Sequence, residues 1–150
     1  MKSLNSFLIV CSMLVITAFS CKKNDEANKQ VNPLLIKSWT LTSIQNTKNN
    51  QMIEYPDSFI YKQLLTVKDS VSLSFFGTCG NLGYANYSVS NNIIRLSGFT
   101  ISHMYLCDKV QWEDYFFNSL GSAYQYNVTE NKLIIYSKGD YNLYFVPTPN

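Results

Sequence analysis

Apolar and polar residues alternate with a period of two along most of this chain, and that pattern predicts β-strands. Turn-forming clusters separate the alternating segments, as at Lys68-Asp69-Ser70 and Lys138-Gly139-Asp140. Ser90-Asn91-Asn92 joins two of the segments as a hairpin. The strand-like segments are residues 38–44, 59–67, 71–75, 84–89, 93–99, 101–107, 124–128, 133–137 and 141–146.

One segment has helical periodicity instead. Asp108 is placed as an N-cap, and Gln111 follows three residues later as in a capping box. Glu113 and Asp114 lie in the first turn, where the helix dipole favours a carboxylate, and Gly121 is placed to end the helix. The apolar positions at helical spacing are Trp112, Tyr115, Phe116 and Leu120.

These elements predict a mainly β (α+β) domain, with about eight strands forming a curved antiparallel sheet or incomplete β-barrel and one helix packed on it. We assign residues 33–150 to this single domain, because no repeat and no second periodic block follows it. About 130 residues are enough for one hydrophobic core.

The first 20 residues have the features of a signal peptide. Lys2 is followed by an apolar stretch from Phe7 to Phe19, about 13 residues against the roughly 20 that a membrane helix needs. Ala18-Phe19-Ser20-Cys21 resembles a lipobox, in which the cysteine is acylated and the chain is cut before it. A transmembrane helix, or a secretory signal with Cys21 nearby by chance, is the alternative.

A polar segment follows, and we interpret residues 21–32 as a lipidated N-terminus and flexible tether, with a reach of at most ~40 Å. Lys22 stands where an aspartate would retain enteric lipoproteins in the inner membrane. We therefore expect an outer-membrane lipoprotein, anchored through Cys21, whose domain is periplasmic or surface-exposed.

The net charge of the chain after residue 20 argues against nucleic acid as a partner. Removing residues 1–20 takes away Lys2, so 11 of the 12 Lys and Arg remain against 10 Asp and Glu. A near-neutral domain gives no basic stripe for nucleic acid. The 11 tyrosines fit strands with half-buried faces better than they fit a sugar-binding platform.

Two cysteines, Cys79 and Cys107, remain in the domain once Cys11 leaves with the signal and Cys21 carries lipid. An even pair in an oxidising compartment predicts a disulfide, which would close a loop of about 29 residues and stabilise the fold by roughly 3.5 kcal/mol. Metal binding is the rival interpretation, but two cysteines and one histidine do not complete a tetrahedral site.

The order of features from Trp39 to Phe145 resembles the META domain of HslJ-like envelope lipoproteins. The resemblance lies in Trp39-Thr40-Leu41, in the glycine-rich loop Gly77–Tyr84 with its cysteine and Asn81, in Cys107 just before a helix, and in the final Leu143-Tyr144-Phe145. Gly80 between Cys79 and Asn81 departs from the family's pattern. The resemblance implies a curved β-sheet with a helix against it and no agreed catalytic function.

A lipocalin-like barrel is the alternative family, because such barrels also open with a tryptophan-bearing strand. The two functional hypotheses follow from this pair. One is a lipid-anchored, non-enzymatic interaction or envelope-maintenance module with an envelope protein as partner. The other is a carrier of a small apolar ligand or lipid.

Candidate chemistry is sparse. His103 and Cys107 would lie about 13 Å apart on an extended strand, and capping or turns explain Asp108, Glu113, Asp114 and Asp140. No phosphate loop, nucleophile elbow or metal signature occurs, so we predict neither enzyme activity nor a cofactor. Asp69-Ser70-Val71 resembles a bacterial O-glycosylation site at Ser70, and an ordinary turn is the simpler interpretation.

Overall fold

The computed structural model describes residues 31–102 and 105–149. In that part of the chain a short 3₁₀ turn, Pro33–Leu35, precedes nine strands and one α-helix, α1 (Val110–Gly121). The strands are β1 (Ser38–Asn46), β2 (Met52–Glu54), β3 (Leu64–Val67), β4 (Ser72–Phe76), β5 (Leu82–Ser90), β6 (Ile93–Ile101), β7 (Ala123–Val128), β8 (Leu133–Ser137) and β9 (Tyr141–Pro147).

Eight of these strands form a closed antiparallel barrel. The order runs β1-β3-β4-β5-β6-β7-β8-β9, and β9 returns to β1 through seven residue pairs from Trp39↔Pro147 to Asn46↔Tyr141. β2 is the extra strand, because it pairs only with the second half of β1 while β3 pairs with the first half. The predicted mainly β fold with one helix is confirmed, and the sheet closes.

The barrel interior is filled by side chains from alternate strand positions. Trp39, Phe75 and Phe145 are fully buried, and Phe116 of α1 packs against two of them, with ring centroids 6.2 Å from Phe145 and 6.4 Å from Phe75. The alternation that predicted the strands is the alternation of buried and exposed residues, most regular in β5. Close packing of this kind places the space open to a ligand at the rim of the barrel.

Two boundaries differ from the sequence-based predictions. Val31 is buried and the Asn32 side chain accepts a hydrogen bond from the Leu34 N–H, so both residues belong to the folded domain and not to the tether. Lys109 is the N-cap of α1 and makes no side-chain cap, whereas Asp108 bonds to Lys109. The capping-box prediction at Asp108 and Gln111 was therefore wrong.

Candidate functional site

The two ends of the barrel differ in what they carry. Because the strands alternate in direction, the N-terminal segment shares one end with the β3–β4, β5–β6 and β7–β8 turns, and Lys37 Nζ donates to Glu130 O there. The opposite end, which we call the distal end, carries the β2–β3 loop (residues 55–63), the β4–β5 loop (residues 77–81) and the segment that leads from β6 into α1. The chain therefore enters β1 at the end away from these loops.

The β2–β3 loop is held down on both sides of one exposed aliphatic residue. Phe59 packs edge-on against Tyr55 and Trp112, with ring centroids 5.2 and 6.2 Å away, and Tyr61 packs against Phe76 at 5.8 Å. Ile60, between the two aromatic residues, is 90% exposed. The loop therefore presents the Ile60 side chain to solvent from a well-supported backbone.

Tyr55 ties this loop to its neighbour. Its hydroxyl donates to Tyr61 O at 2.8 Å, which leaves it to accept the Thr78 hydroxyl at 3.0 Å. Burial is the main cause that raises the pKa of Tyr55, and the bond from Thr78 opposes it. A neutral phenol thus connects the β2–β3 and β4–β5 loops.

A buried carboxylate holds the β4–β5 loop. Glu113 of α1 is 3% exposed, and its Oε1 accepts the Cys79 N–H at 3.2 Å while its Oε2 accepts Asn81 Nδ2 at 2.8 Å. Asn81 also bonds to Tyr105 through both main-chain groups of that residue. Glu113 therefore joins α1 to the β4–β5 loop. The sequence analysis explained Glu113 only by the helix dipole and did not predict this contact.

The predicted disulfide is present. Cys79 and Cys107 are joined, with their Cα atoms 5.5 Å apart, and they link the β4–β5 loop to the segment before α1. Beside this link Leu106 is 91% exposed and Tyr105 is 55% exposed. The covalent link and the Asn81 bonds hold these two side chains at the barrel rim.

A groove of about 350 Å³ lies between the two loop systems. Its lining consists of Ser58, Phe59, Ile60, Tyr61, Thr78, Cys79, Cys107, Asp108 and Lys109. We define the distal patch as four exposed side chains at this end of the barrel, Ile60 and Tyr61 of the groove lining and Tyr105 and Leu106 of the segment just before Cys107. Several exposed apolar side chains at a concavity mark an interaction site more often than single scattered ones do.

The charges at the rim of this groove are paired within the molecule. Lys62 lies 3.2 Å from Asp57, and Lys109 lies 2.8 Å from Asp108. The bond from Lys109, followed by its charge, lowers the pKa of the Asp108 carboxyl. The distal patch is therefore apolar, and the charges of the two lysines and two aspartates at the rim of the groove sum to zero.

The remaining residues singled out from the sequence fall in different places. Cys21 and His103 lie outside the described residues. Ser70 is exposed on the β3–β4 turn, where Asp69 Oδ1 accepts the Val71 and Ser72 N–H groups at 2.8 and 2.7 Å. This turn is at the N-terminal end, opposite the distal patch.

Sequence reasoning missed the distal patch. The sequence pattern predicts a strand over residues 59–67, whereas β3 starts at Leu64, and it predicts an extended stretch over residues 101–107, whereas β6 ends at Ile101. Phe59, Ile60 and Tyr61 are three consecutive large apolar residues, and a strand with strict alternation would have a polar residue among them. This run was the signal in the sequence that could have indicated the patch.

Comparison with known proteins identifies the fold. A crystal structure of a DUF4847 family protein from Bacteroides vulgatus matches 79% of this chain and 96% of its own length, at a TM-score of 0.58 and 11% identity. The NMR structure of a protein from Burkholderia xenovorans matches 78% of this chain and 86% of its own, at a TM-score of 0.65 and 17% identity. At these identities the likeness concerns the fold alone.

No family model and no curated protein matches the chain. In the part of the chain that the structure describes, no helix is both long enough and apolar enough to span a bilayer.

Proposed function

We propose that this chain is an outer-membrane lipoprotein, anchored through Cys21, whose barrel is a non-enzymatic module that binds a protein at the distal patch. The observation that carries the proposal is the presentation of Ile60 and Leu106, which are 90% and 91% exposed on loops held by rings, hydrogen bonds and a disulfide. Leaving two aliphatic side chains in water is unfavourable by itself, at roughly 25 cal/mol per Å² of apolar surface. Binding of a partner would bury these two side chains and remove this unfavourable exposure.

The charge and shape of the site favour a protein partner over a lipid surface. Both lysines at the rim are neutralised by adjacent aspartates, so they supply little attraction to anionic headgroups. The site is also concave, and a concavity complements a protruding side chain of another protein.

The position of the patch is compatible with an N-terminal lipid anchor. Because the chain enters β1 at the end opposite the patch, an anchor N-terminal to β1 would leave the patch free to meet a partner. Anchoring by two or more acyl chains is stable enough to keep the domain at the membrane.

A non-enzymatic role is supported by the structural bonds of four of the described carboxylates. Glu113 bonds to the β4–β5 loop, Asp108 bonds to Lys109, and Asp140 lies 2.9 Å from Lys48. Asp69 accepts bonds from its own turn. Each of these groups has a structural partner that accounts for its position.

A carrier of a small apolar ligand is the second candidate, and the barrel fold is compatible with it. The aromatic lining and the 350 Å³ volume of the groove favour this candidate. Leu106 argues for the larger partner, because it lies outside the groove lining and a ligand confined to the groove would leave it in water.

Two measurements test the proposal. Incorporation of an alkynyl fatty acid into the full chain should occur with the native sequence and be lost in Cys21→Ser; equal labelling of both would refute the anchor. Native mass spectrometry of the purified lipidated protein should show no additional small apolar molecule. A reproducible bound molecule that Ile60→Asp abolishes and Val71→Asp does not would establish the carrier instead.

A further inference from the structure

We infer that the end of the barrel opposite the distal patch lies against the anionic lipid headgroups of the membrane that carries the anchor. The inference goes beyond the proposed function and rests on one part of it, the lipid anchor at Cys21. We define the proximal face as four basic and three exposed aliphatic residues of the N-terminal segment and the turns at this end: Lys37, Lys68, Arg95, Lys132, Ile36, Val71 and Ile93.

Charge is distributed unevenly between this end and the rest of the domain. The four basic residues of the proximal face are accompanied by two acidic ones, Asp69 and Glu130, which gives a net charge of +2. The other described residues include four basic and six acidic ones, a net charge of −2. The domain is therefore positive at the end where the chain enters β1, and anionic lipids attract basic residues close to a bilayer.

The basic side chains of the proximal face are also available to an outside anion. The three ion pairs of the described residues all lie at the distal end, and none involves Lys68, Arg95 or Lys132. Asp69, the acidic residue beside Lys68, accepts hydrogen bonds from the main chain of its own turn. The proximal end therefore has cations without an ion-pair partner in the described part of the chain, whereas the distal end has neutral pairs.

Arg95, the single arginine of the chain, lies in a recess that suits a headgroup phosphate. It is opposite Ser88 on the neighbouring strand, and a cavity of about 170 Å³ is lined by these two residues together with Val89, Ser90 and Ile93. A guanidinium group donates two parallel hydrogen bonds to phosphate oxygens, and serine hydroxyls add further donors. This recess gives the general attraction one defined contact.

Exposed aliphatic side chains stand among these cations. Val71 is 59% exposed on the β3–β4 turn, Ile93 is 45% exposed at the β5–β6 turn, and Ile36 is 40% exposed just before β1. Surfaces that lie on bilayers combine apolar side chains, which enter the boundary between headgroups and acyl chains, with basic side chains that stay beside the phosphates. The proximal face has both.

The anchor decides between a membrane and an acidic protein as the occupant of this face. The chain enters β1 at the proximal end, and residues 21–32 extend at most ~40 Å. A domain held by such a tether stays close to the bilayer, so that a weak attraction is enough to bring the face onto it. The distal patch would then point away from the membrane, as the proposed function requires.

Fluorescence quenching in nanodiscs tests which end of the barrel meets the bilayer. The full chain is purified with its anchor and incorporated into discs of phosphatidylcholine, or of phosphatidylcholine with phosphatidylglycerol, that contain a lipid with a nitroxide near the headgroup. A fluorophore is attached at Val71→Cys. The matched control is Val110→Cys, a valine 37% exposed at the distal end.

Quenching at the Val71 position should be at least about threefold greater in the anionic discs than in the neutral ones, because the attraction depends on lipid charge. Quenching at the Val110 position should be low in both. About 1 M salt, which shortens the Debye length to roughly 3 Å, should remove the difference between the discs.

Substitution of the basic residues tests whether the proximal cations cause the attraction. The triple variant Lys68→Gln, Arg95→Gln, Lys132→Gln should reduce quenching at the Val71 position to the level of the neutral discs. A control variant loses three charges at the distal end, Lys48→Gln, Lys62→Gln and Lys138→Gln, and should keep the native quenching.

The other outcomes separate this inference from the proposed function. Incorporation without quenching at Val71 would overturn the inference and favour an acidic protein as the partner of the face, while the anchor and the distal patch stand. Quenching at Val110 instead would overturn both the inference and the distal patch as a protein-binding site. Failure of the chain to incorporate would refute the anchor and the inference with it. A glycan found on Ser70 would hold Val71 away from the headgroups and would also overturn the inference.

Discussion

The backbone of Gly77 lies directly against the carboxylate of Glu113, so that a Cβ added at Gly77 would overlap Oε1 and Cδ of the glutamate. Glycine is required here for close approach, and the approach lets Glu113 accept the Cys79 N–H and the Asn81 side chain. The β4–β5 loop, which carries Cys79 of the disulfide, is therefore packed around the buried carboxylate of Glu113.

Gly77→Ala should lower the free energy of unfolding by about 1–3 kcal/mol, because the Glu113 side chain must move from its bonded position. Gly121→Ala is the matched control, since a Cβ there would meet Phe99 at 3.9 Å, an ordinary contact. Urea denaturation of both variants measures the difference. Equal midpoints for Gly77→Ala and the native protein would show that Glu113 does not hold the loop.

Removal of the disulfide should destabilise the domain by roughly 3–4 kcal/mol, because the unfolded chain regains the entropy of a loop with a sequence separation of 28. The double variant Cys79→Ser, Cys107→Ser and the reduced native protein should show similar denaturation midpoints. A loss below about 1 kcal/mol would mean that the hydrogen bonds of Asn81 and Glu113 alone fix the distal loops.

Tyr87 should make the domain sensitive to alkaline pH. Burial, and secondarily the charge of Asp69, raises the pKa of Tyr87 to about 12 from its ordinary value of 10.0, and its hydroxyl donates to Asp69 O. A pKa raised in the folded state stabilises the fold fully below pH 10.0, and that stabilisation is lost as the pH rises toward 12.

Tyr87→Phe checks this directly. The variant should be less stable by about 1 kcal/mol at pH 8, because the hydrogen bond is missing, and its stability should fall less steeply than that of the native protein between pH 9 and 11. Parallel denaturation curves for the two proteins across that range would assign the alkaline loss to other groups.

Ser70 should carry a glycan if Asp69-Ser70-Val71 is an O-glycosylation site, and its exposed turn leaves the hydroxyl accessible. Intact-mass measurement on the protein from its native envelope should show an added glycan mass that Ser70→Ala removes. Ser58→Ala, exposed at the other end of the barrel, should retain the added mass. An unmodified mass for the native protein would leave Ser70 as an ordinary turn residue.

The sequence by itself determined which residues face the core. Strand alternation is a local property of the chain, and in β5 the alternation seen in the sequence is the alternation of buried and exposed residues in the structure. The cysteine count gave Cys79–Cys107, because only two thiols remained to pair. The start of the first strand at Ser38 and the end of the single helix at Gly121 followed from equally local patterns.

Only the tertiary structure decided where the candidate site lies. Ile60 and Leu106 are more than 40 residues apart in the chain and come to one rim because alternate connections of an antiparallel barrel share an end. Closure of the sheet through β1 and β9 is likewise a long-range pairing that no local pattern encodes. The role of Glu113 was also decided by long-range contacts, because α1 packs where this carboxylate accepts the Cys79 N–H and the Asn81 side chain of the β4–β5 loop.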